Sequence, residues 1–537
     1  MPRLLDGRLG AIKALFDAAR RGERSASTNF SPRCTRRAAG THRRDALFRI
    51  GSLQDTFTAR RCAAVLAALV AIGAAGNAEQ GNAGQASLPS MLRFANPSGS
   101  AATISTAGRI DLTGPFFQSL GTNGRACVSC HQPSSGWTIT PGNVQARFEA
   151  TAGTDPIFRT VDGSNSPLAD VSTVDARRAA YSMLLDKGLI RVGIGVPAGP
   201  QVDFELVAVD DPYGYASARE LSLFRRPLPA TNLEFLSTVM WDGRETFPDP
   251  ASQECIVGTT SCFATLHFDL ADQANSATLG HAQAAQALTP EQQEAIVAFE
   301  TVLFTAQVQD KDAGNLGARH GLGGPAYLAQ QPFYFGINDA VYGDYRTAAP
   351  FSPFVFSLYG AWNTAENNGL AGGDSYSVVE ARRAVARGEA LFDIKPITIT
   401  GVKGLNDELN ASSLQGTCTT CHDTPSAGSH SIPAPLDIGL TDVSRRTPDL
   451  PLYTLRNKAT GKTLQTTDPG RALITGKWKD IGKFKGPILR GLAARAPYFH
   501  NGSAATLSDV VDFYDQRFGI GFTDEEKSDL IAFLKTL

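Results

Sequence analysis

Two short segments, Cys127-Val128-Ser129-Cys130-His131 and Cys418-Thr419-Thr420-Cys421-His422, each set two thiols two residues apart with a histidine directly after the second. That spacing lets both sulfurs form thioethers to neighbouring edges of one porphyrin and puts an imidazole under its iron, the c-type haem attachment pattern. The chain has only 8 histidines in 537 residues, so two in this position are a specific signal. Paired C-x-x-C knuckles also build zinc ribbons, but these two pairs lie far apart and each carries its own histidine. The expectation is two covalent haem c groups, attached at Cys127 and Cys130 and at Cys418 and Cys421. His131 and His422 are the expected proximal iron ligands.

The rest of the chain must position two such groups. Its length suits two or three domains rather than one small cytochrome. A net charge of −2 leaves no nucleic-acid footprint. Arg60-Arg61, an apolar run from Cys62 to Ala75 and Gly76-Asn77-Ala78 read as a cleaved export signal, with an Arg- and Ser-rich lead before it. Periplasmic localisation follows, and it agrees with haem attachment outside the cytoplasm. Cys34 and Cys62 leave with that leader, so Cys255 and Cys262 remain. They have six residues between them and are expected to form a disulfide in an oxidising compartment.

The expected fold is mainly α, with two cytochrome c-like domains, long loops and a small β-hairpin, and the haems near the domain interface. Residues 1–78 are the leader, 79–110 an extended lead-in, 111–375 the N-terminal domain and 376–537 the C-terminal domain. Leu112–Leu120 reads as a short helix. The hairpin is placed at Ile190–Ile194 and Phe204–Val209. Thr289-Pro290-Glu291 opens a helix, with Thr as N-cap and Pro at the first turn. Helices are also expected over Val378–Phe392 and after the capping box Thr523-Asp524-Glu525-Glu526. Residues 311–375 read as a long loop.

Further motifs lie between and after the haem segments: Met240-Trp241-Asp242-Gly243-Arg244, then Ala496-Pro497-Tyr498-Phe499-His500-Asn501-Gly502, then Thr506 to Tyr514. In this order the chain resembles the bacterial di-haem cytochrome c peroxidase superfamily, which includes the di-haem enzyme that matures tryptophan tryptophylquinone. The resemblance spans most of residues 110–537. It implies that hydrogen peroxide reacts at the N-terminal haem and that the C-terminal haem handles electrons. Trp241 is then the relay between them. Electrons would come from a small cytochrome c or cupredoxin, or from a protein substrate. Oxidative modification of a partner protein is the alternative activity. A non-catalytic di-haem electron carrier is the alternative class. The sequence sets no oligomeric state.

The resemblance also fixes where this chain departs from the pattern. Tyr514 stands seventeen residues beyond Pro497, where ordinary peroxidases carry a Met ligand, and no Met follows Met240. Tyr514 is therefore the expected second ligand of the C-terminal iron, as in the quinone-maturing branch. Phenolate is a hard anionic donor that favours ferric iron. No His lies between His131 and His267, so the first iron is expected to be open or water-bound. Peroxide cleavage needs a distal acid–base group. Gln273 matches the family's Gln. Where the family has a Glu, this chain offers His281, with Gln283 as the alternative. His500 is expected to hydrogen-bond near the second haem. His267, His320 and His430 are expected at the surface or in loops. The resemblance further implies calcium between the domains, held by an Asn side chain and backbone carbonyls. Arg226 stands at the aligned Asn position, and Arg495 replaces the usual Thr before Ala496-Pro497.

Overall fold

Polar caps set the helices of this chain. The computed structural model describes residues 87, 88, 90–364 and 374–537; the expected leader and export signal lie outside the described residues. Six longer helices are α1 (Pro141–Thr151), α2 (Leu266–Gly280), α3 (Pro290–Thr301), α4 (Tyr376–Ile394), α5 (Leu507–Phe518) and α6 (Asp524–Leu534). Each begins at a Thr or Ser whose hydroxyl accepts from a first-turn backbone N–H: Thr140, Thr265, Thr289, Ser375, Thr506 and Thr523. Such a cap satisfies a donor that the helix itself leaves unpaired. The helices expected at 289, 378 and 523 are thus present. The one expected at Leu112–Leu120 is reduced to a 3-10 turn at Pro115–Phe117. It lies in a Gly- and Pro-punctuated stretch too short to nucleate an α-helix.

Among the described residues no helix is long and apolar enough to cross a membrane. α4 and α6 cross closely around Phe392, Phe533 and Leu534. Gly388 permits the crossing, since a Cβ there would sit 2.0 Å from the Asp529 carbonyl oxygen. Arg387 pairs with Asp529 at 2.6 Å, and Lys395 with Glu526 at 2.6 Å.

The β content is larger than the sequence suggests. Among the described residues six small sheets are present, so a mainly α fold with one hairpin is too helical a description. The main strands are β1 (Met91–Asn96), β2 (Gly99–Ser105), β3 (Ile190–Ile194), β4 (Phe204–Asp210), β5 (Leu221–Arg225), β6 (Leu303–Asp310), β7 (Leu452–Asn457) and β8 (Thr463–Thr466). β3 and β4 form where expected but do not pair with each other. β3 pairs with β5, and β4 with β7, about 250 residues away in sequence. That second pairing joins strands from either side of the expected 375/376 boundary.

Residues 91–105, expected within an extended lead-in, instead give β1 and β2. β2 pairs with β1 on one side and with β6 on the other, in a four-stranded sheet. Within 311–375 the described structure is mostly irregular, with short helical turns at Pro325–Leu328 and Gly360–Asn363. Cys255 and Cys262 form the expected disulfide.

Candidate functional site: two cavities sharing a wall

The sheet's first task is to hold His131. Thr103 on β2 faces Thr305 on β6, with their hydroxyl oxygens 2.7 Å apart. The Thr103 hydroxyl also accepts from the buried Trp137 Nε1 at 2.9 Å. The Trp137 carbonyl in turn meets His131 Nδ1 at 3.1 Å. A carbonyl can only accept, so Nδ1 carries the proton and Nε2 keeps its lone pair for a metal. His422 repeats the arrangement, with Nδ1 2.7 Å from the Gly428 carbonyl. Burial pushes the His131 ring down to about 4 and lowers His422 as well. Both imidazoles are therefore neutral at pH 7, as ligation to iron requires.

Each C-x-x-C-H segment lines its own cavity. The first holds about 1550 Å³ of empty space and is lined by Cys127, Cys130, His131, Trp241, Gln273 and His281 among others. The second holds about 1780 Å³ and is lined by Cys418, Cys421, His422, His500 and Tyr514 among others. All four cysteines are free and partly exposed, their open surface facing the cavities. The two C-x-x-C pairs line different cavities and so do not come together as the four ligands of one zinc ribbon.

The donor set lining each cavity, two thiols and one imidazole, fits haem c. A further sign of fit is His500. Its ring is buried, stacked on Phe484 at 4.0 Å and edge-on to Trp241 at 6.2 Å, yet neither nitrogen has a partner among the described residues. No described residue supplies the hydrogen bond expected for it near the second haem. The residue lines the second cavity, where a bound group's polar edge would satisfy it.

Tyr514 enters the second cavity from α5, ringed by Phe499, Phe513 and Phe518. Its hydroxyl makes no hydrogen bond among the described residues. Burial, and then the nearby Cys421 and Cys418 sulfurs, push that hydroxyl well above the usual tyrosine range.

His281 caps α2 and is gripped by the segment leading to the first haem motif. Thr122 N–H donates to the Ala282 carbonyl at 3.1 Å, and Asn123 Nδ2 to the His281 carbonyl at 2.8 Å. Gly121 makes this approach feasible, since a Cβ there would lie 1.9 Å from the Ala282 oxygen. The His281 ring is fixed by Asp162, with Nδ1 to Oδ2 at 2.5 Å. Asp162 is paired with buried Arg125. Burial raises the Asp162 carboxyl, but the Arg125 guanidinium and the His281 ring outweigh it and hold it ionised. Gln283, by contrast, is exposed, and its side-chain oxygen accepts from Asn123 at 3.3 Å. It does not line the cavity, so the geometry favours His281.

Trp241 lines both cavities. Its indole N–H donates to the Arg226 carbonyl at 2.8 Å, and its own carbonyl accepts from the Lys485 N–H at 2.9 Å. The following Asp242 is fully buried against Arg225 at 2.5 Å, and Arg225 also pairs with Asp468 at 2.7 Å. Burial raises Asp242, but Arg225 and Arg244 together bring it down to about 2. In the unfolded chain it would titrate near ~3.9, so the native state is the weaker proton binder. Its contribution to stability is present in full above about pH 5 and is lost as pH falls toward about 2. Asp242→Asn should cost about 3 kcal/mol or more in urea unfolding of the holoprotein, because it strips one partner from a buried cation. An unchanged midpoint would contradict that.

Glu300 and Met240 were not anticipated, and both line the first cavity. Burial raises the Glu300 carboxyl to about 8, so it is protonated at neutral pH. Its signal was a lone Glu among the apolar positions of α3. Asp162 and Arg125 had no local signature. His430, expected in a surface or loop position, is mostly buried beside Asp423, at 3.4 Å. His267 is exposed and pairs with Glu294. The calcium implied by the resemblance is not accommodated, because the Arg226 guanidinium already fills the carbonyl cluster beside Trp241.

Curated relatives give this geometry a context. The chain is 34% identical over 140 residues to cytochrome-c peroxidase IdrP1 of Pseudomonas sp. (strain SCT), covering 22% of this chain and 36% of the relative. It is 30% identical over 146 residues to cytochrome c551 peroxidase of Nitrosomonas europaea, covering 25% and 37%. Over that stretch the chain is similar to these cytochrome-c peroxidases. It spans about a third of the length of the curated relatives it matches. No family model matches the chain. A solved MauG-like protein associated with microbial copper homeostasis superposes over 60% of this chain and 76% of its own at 19% identity, with a TM-score of 0.28.

Proposed function

We propose that this chain is an exported, periplasmic di-haem peroxidase of two cytochrome c domains, 111–375 and 376–537. In this reading it reduces hydrogen peroxide in the His131 cavity and shares oxidising equivalents with a His422/Tyr514 site through Trp241. The observation that carries the reading is the position of Trp241 in the wall common to both cavities. Bound haem would supply the redox-active iron at which the peroxide O–O bond breaks and through which electrons arrive.

The chain's own residues do the rest. His131 Nε2 and His422 Nε2 are held as neutral donors by the Trp137 and Gly428 carbonyls. Asp162 fixes His281 Nδ1 as the protonated atom, which leaves His281 Nε2 to take a proton from one peroxide oxygen and return it to the other. Moving the proton that way lets the departing oxygen leave as water. Gln273, on the same cavity wall, orients the oxidant. Tyr514 supplies an oxygen donor to the second site. Trp241 offers an oxidisable indole between the two, and its hydrogen bond to the Arg226 carbonyl fixes its plane.

The test is steady-state peroxide reduction by purified holoprotein with a reduced small cytochrome c or cupredoxin as donor. Sustained turnover supports the reading. Electron exchange with the donor but no peroxide consumption would make the protein a carrier. Trp241→Phe should slow electron transfer between the sites about tenfold or more, equivalent to roughly 1.4 kcal/mol of barrier. Unchanged transfer measured by rapid mixing would remove the relay.

A further inference from the structure

Arg226 is almost fully buried, with 5% of its surface exposed, and no carboxylate pairs with it among the described residues. Buried guanidinium groups ordinarily find a carboxylate or phosphate, because desolvating an unpaired charge is costly. This one is received by backbone carbonyls alone. Nη1 donates to Lys187 and Gly188 oxygens at 3.1 and 3.2 Å. Nη2 donates to Ile139 and Arg495 oxygens at 2.8 and 3.0 Å. A guanidinium has five N–H donors, so the four on its terminal nitrogens are spent and only Nε–H is left.

The four carbonyls come from three separate stretches of chain: the turn before α1, the 187–188 corner, and the segment before Pro497. The cluster is shaped to receive the group. Gly188 has φ +60°, and a Cβ on it would sit 2.0 Å from Arg226 Nη1. The cation that acts on it electrostatically is Arg495, whose own donors go to Ile488, Arg490 and Gly491 carbonyls. Burial and Arg495 together lower Arg226 to about 9, which still leaves it a cation at neutral pH.

Several neutral oxygens converging on one positive centre is the coordination chemistry of a hard cation, for which backbone carbonyls are ordinary ligands. We propose that the Arg226 guanidinium is a covalently tethered replacement for a bound divalent cation at the junction of the two cavities, and that the protein keeps this junction assembled without calcium. The consequence is local. The Arg226 backbone N–H donates to the His500 carbonyl at 2.6 Å and its carbonyl receives Trp241 Nε1. The side-chain cation therefore secures the residue that fixes the Trp241 plane and the start of the 496–502 segment. An exchangeable ion would make that geometry depend on metal supply; a tethered one does not.

The proposal is independent of whether the protein turns over peroxide, because thermal unfolding and metal content read it directly. Wild-type holoprotein should contain no stoichiometric calcium by elemental analysis. Its unfolding temperature should be the same in excess EGTA as in millimolar calcium chloride. Arg226→Lys, which keeps a cation in the cluster, should unfold between wild type and Arg226→Met, which keeps bulk but no charge. Arg226→Asn should gain a rise in unfolding temperature on adding calcium chloride that wild type lacks. Bound calcium, or a fall in wild-type unfolding temperature in EGTA, would overturn the proposal. So would a Met variant as stable as the Lys variant, or a folded Asn variant indifferent to calcium. Should the Asn variant give no folded protein, the wild-type measurements and the Lys–Met order still decide.

Discussion

Tyr514→Phe is expected to abolish the low-spin ferric signal of the second site and raise its midpoint potential by about 100 mV or more, within the roughly 0.8 V over which axial ligands move haem potentials. The expectation rests on what else the second cavity offers. No methionine follows Met240, and none lines this cavity. Tyr514 stands on α5 with its ring held by Phe499, Phe513 and Phe518, and its hydroxyl has no partner among the described residues. Leaving that hydroxyl unbonded would cost free energy, as for any buried polar group. Coordination removes the cost and displaces the proton that burial otherwise holds on the oxygen. Phenylalanine keeps the ring packing and deletes only the donor atom. Redox titration with parallel electron paramagnetic resonance checks the result. An unaltered signal and potential would show that Tyr514 only packs.

His281→Ala is expected to lower peroxide turnover by about 10²–10⁴-fold, the usual contribution of a positioned acid–base group, with little change in donor oxidation. Asp162→Asn should give a smaller loss in the same parameter, because it removes the group that fixes the ring's protonated atom. Glu300→Gln is the control, since Glu300 lines the same cavity and also holds a proton at neutral pH. Rapid-mixing rates with peroxide across pH 5–8 separate the cases. A fast His281→Ala protein would transfer the acid–base role elsewhere. A slow Glu300→Gln protein beside it would name the carboxyl.

The haem-attachment segments and the Thr-capped helices were legible because their chemistry is local. A thiol pair with a trailing imidazole, or a Thr three residues before Gln or Glu, carries its meaning within a few positions. The pairing of β4 with β7 was not legible. Two short strands about 250 residues apart give no local sign of their partner, and a nearer strand is the natural guess. β1 and β2 were hidden for another reason: Gly, Ser and Asn dominate around them and read as loop, while β2 finds its second neighbour only in the distant β6.

The site shows the same division. His281 and Trp241 could be named from motif order. The Asp162–Arg125 support could not, because it depends on a fold-back that brings residue 162 to residue 281. Arg226 was visible in sequence only as a departure at an aligned position. Its four carbonyl partners lie in stretches that tertiary structure alone brings together.

Unequal coordination of two covalent haems is the central claim, and electron paramagnetic resonance of the as-isolated ferric holoprotein tests it most directly. The account predicts one high-spin and one low-spin species in equal amounts. Two low-spin species would contradict it, with Met240, which also lines the first cavity, as the immediate suspect for the extra ligand.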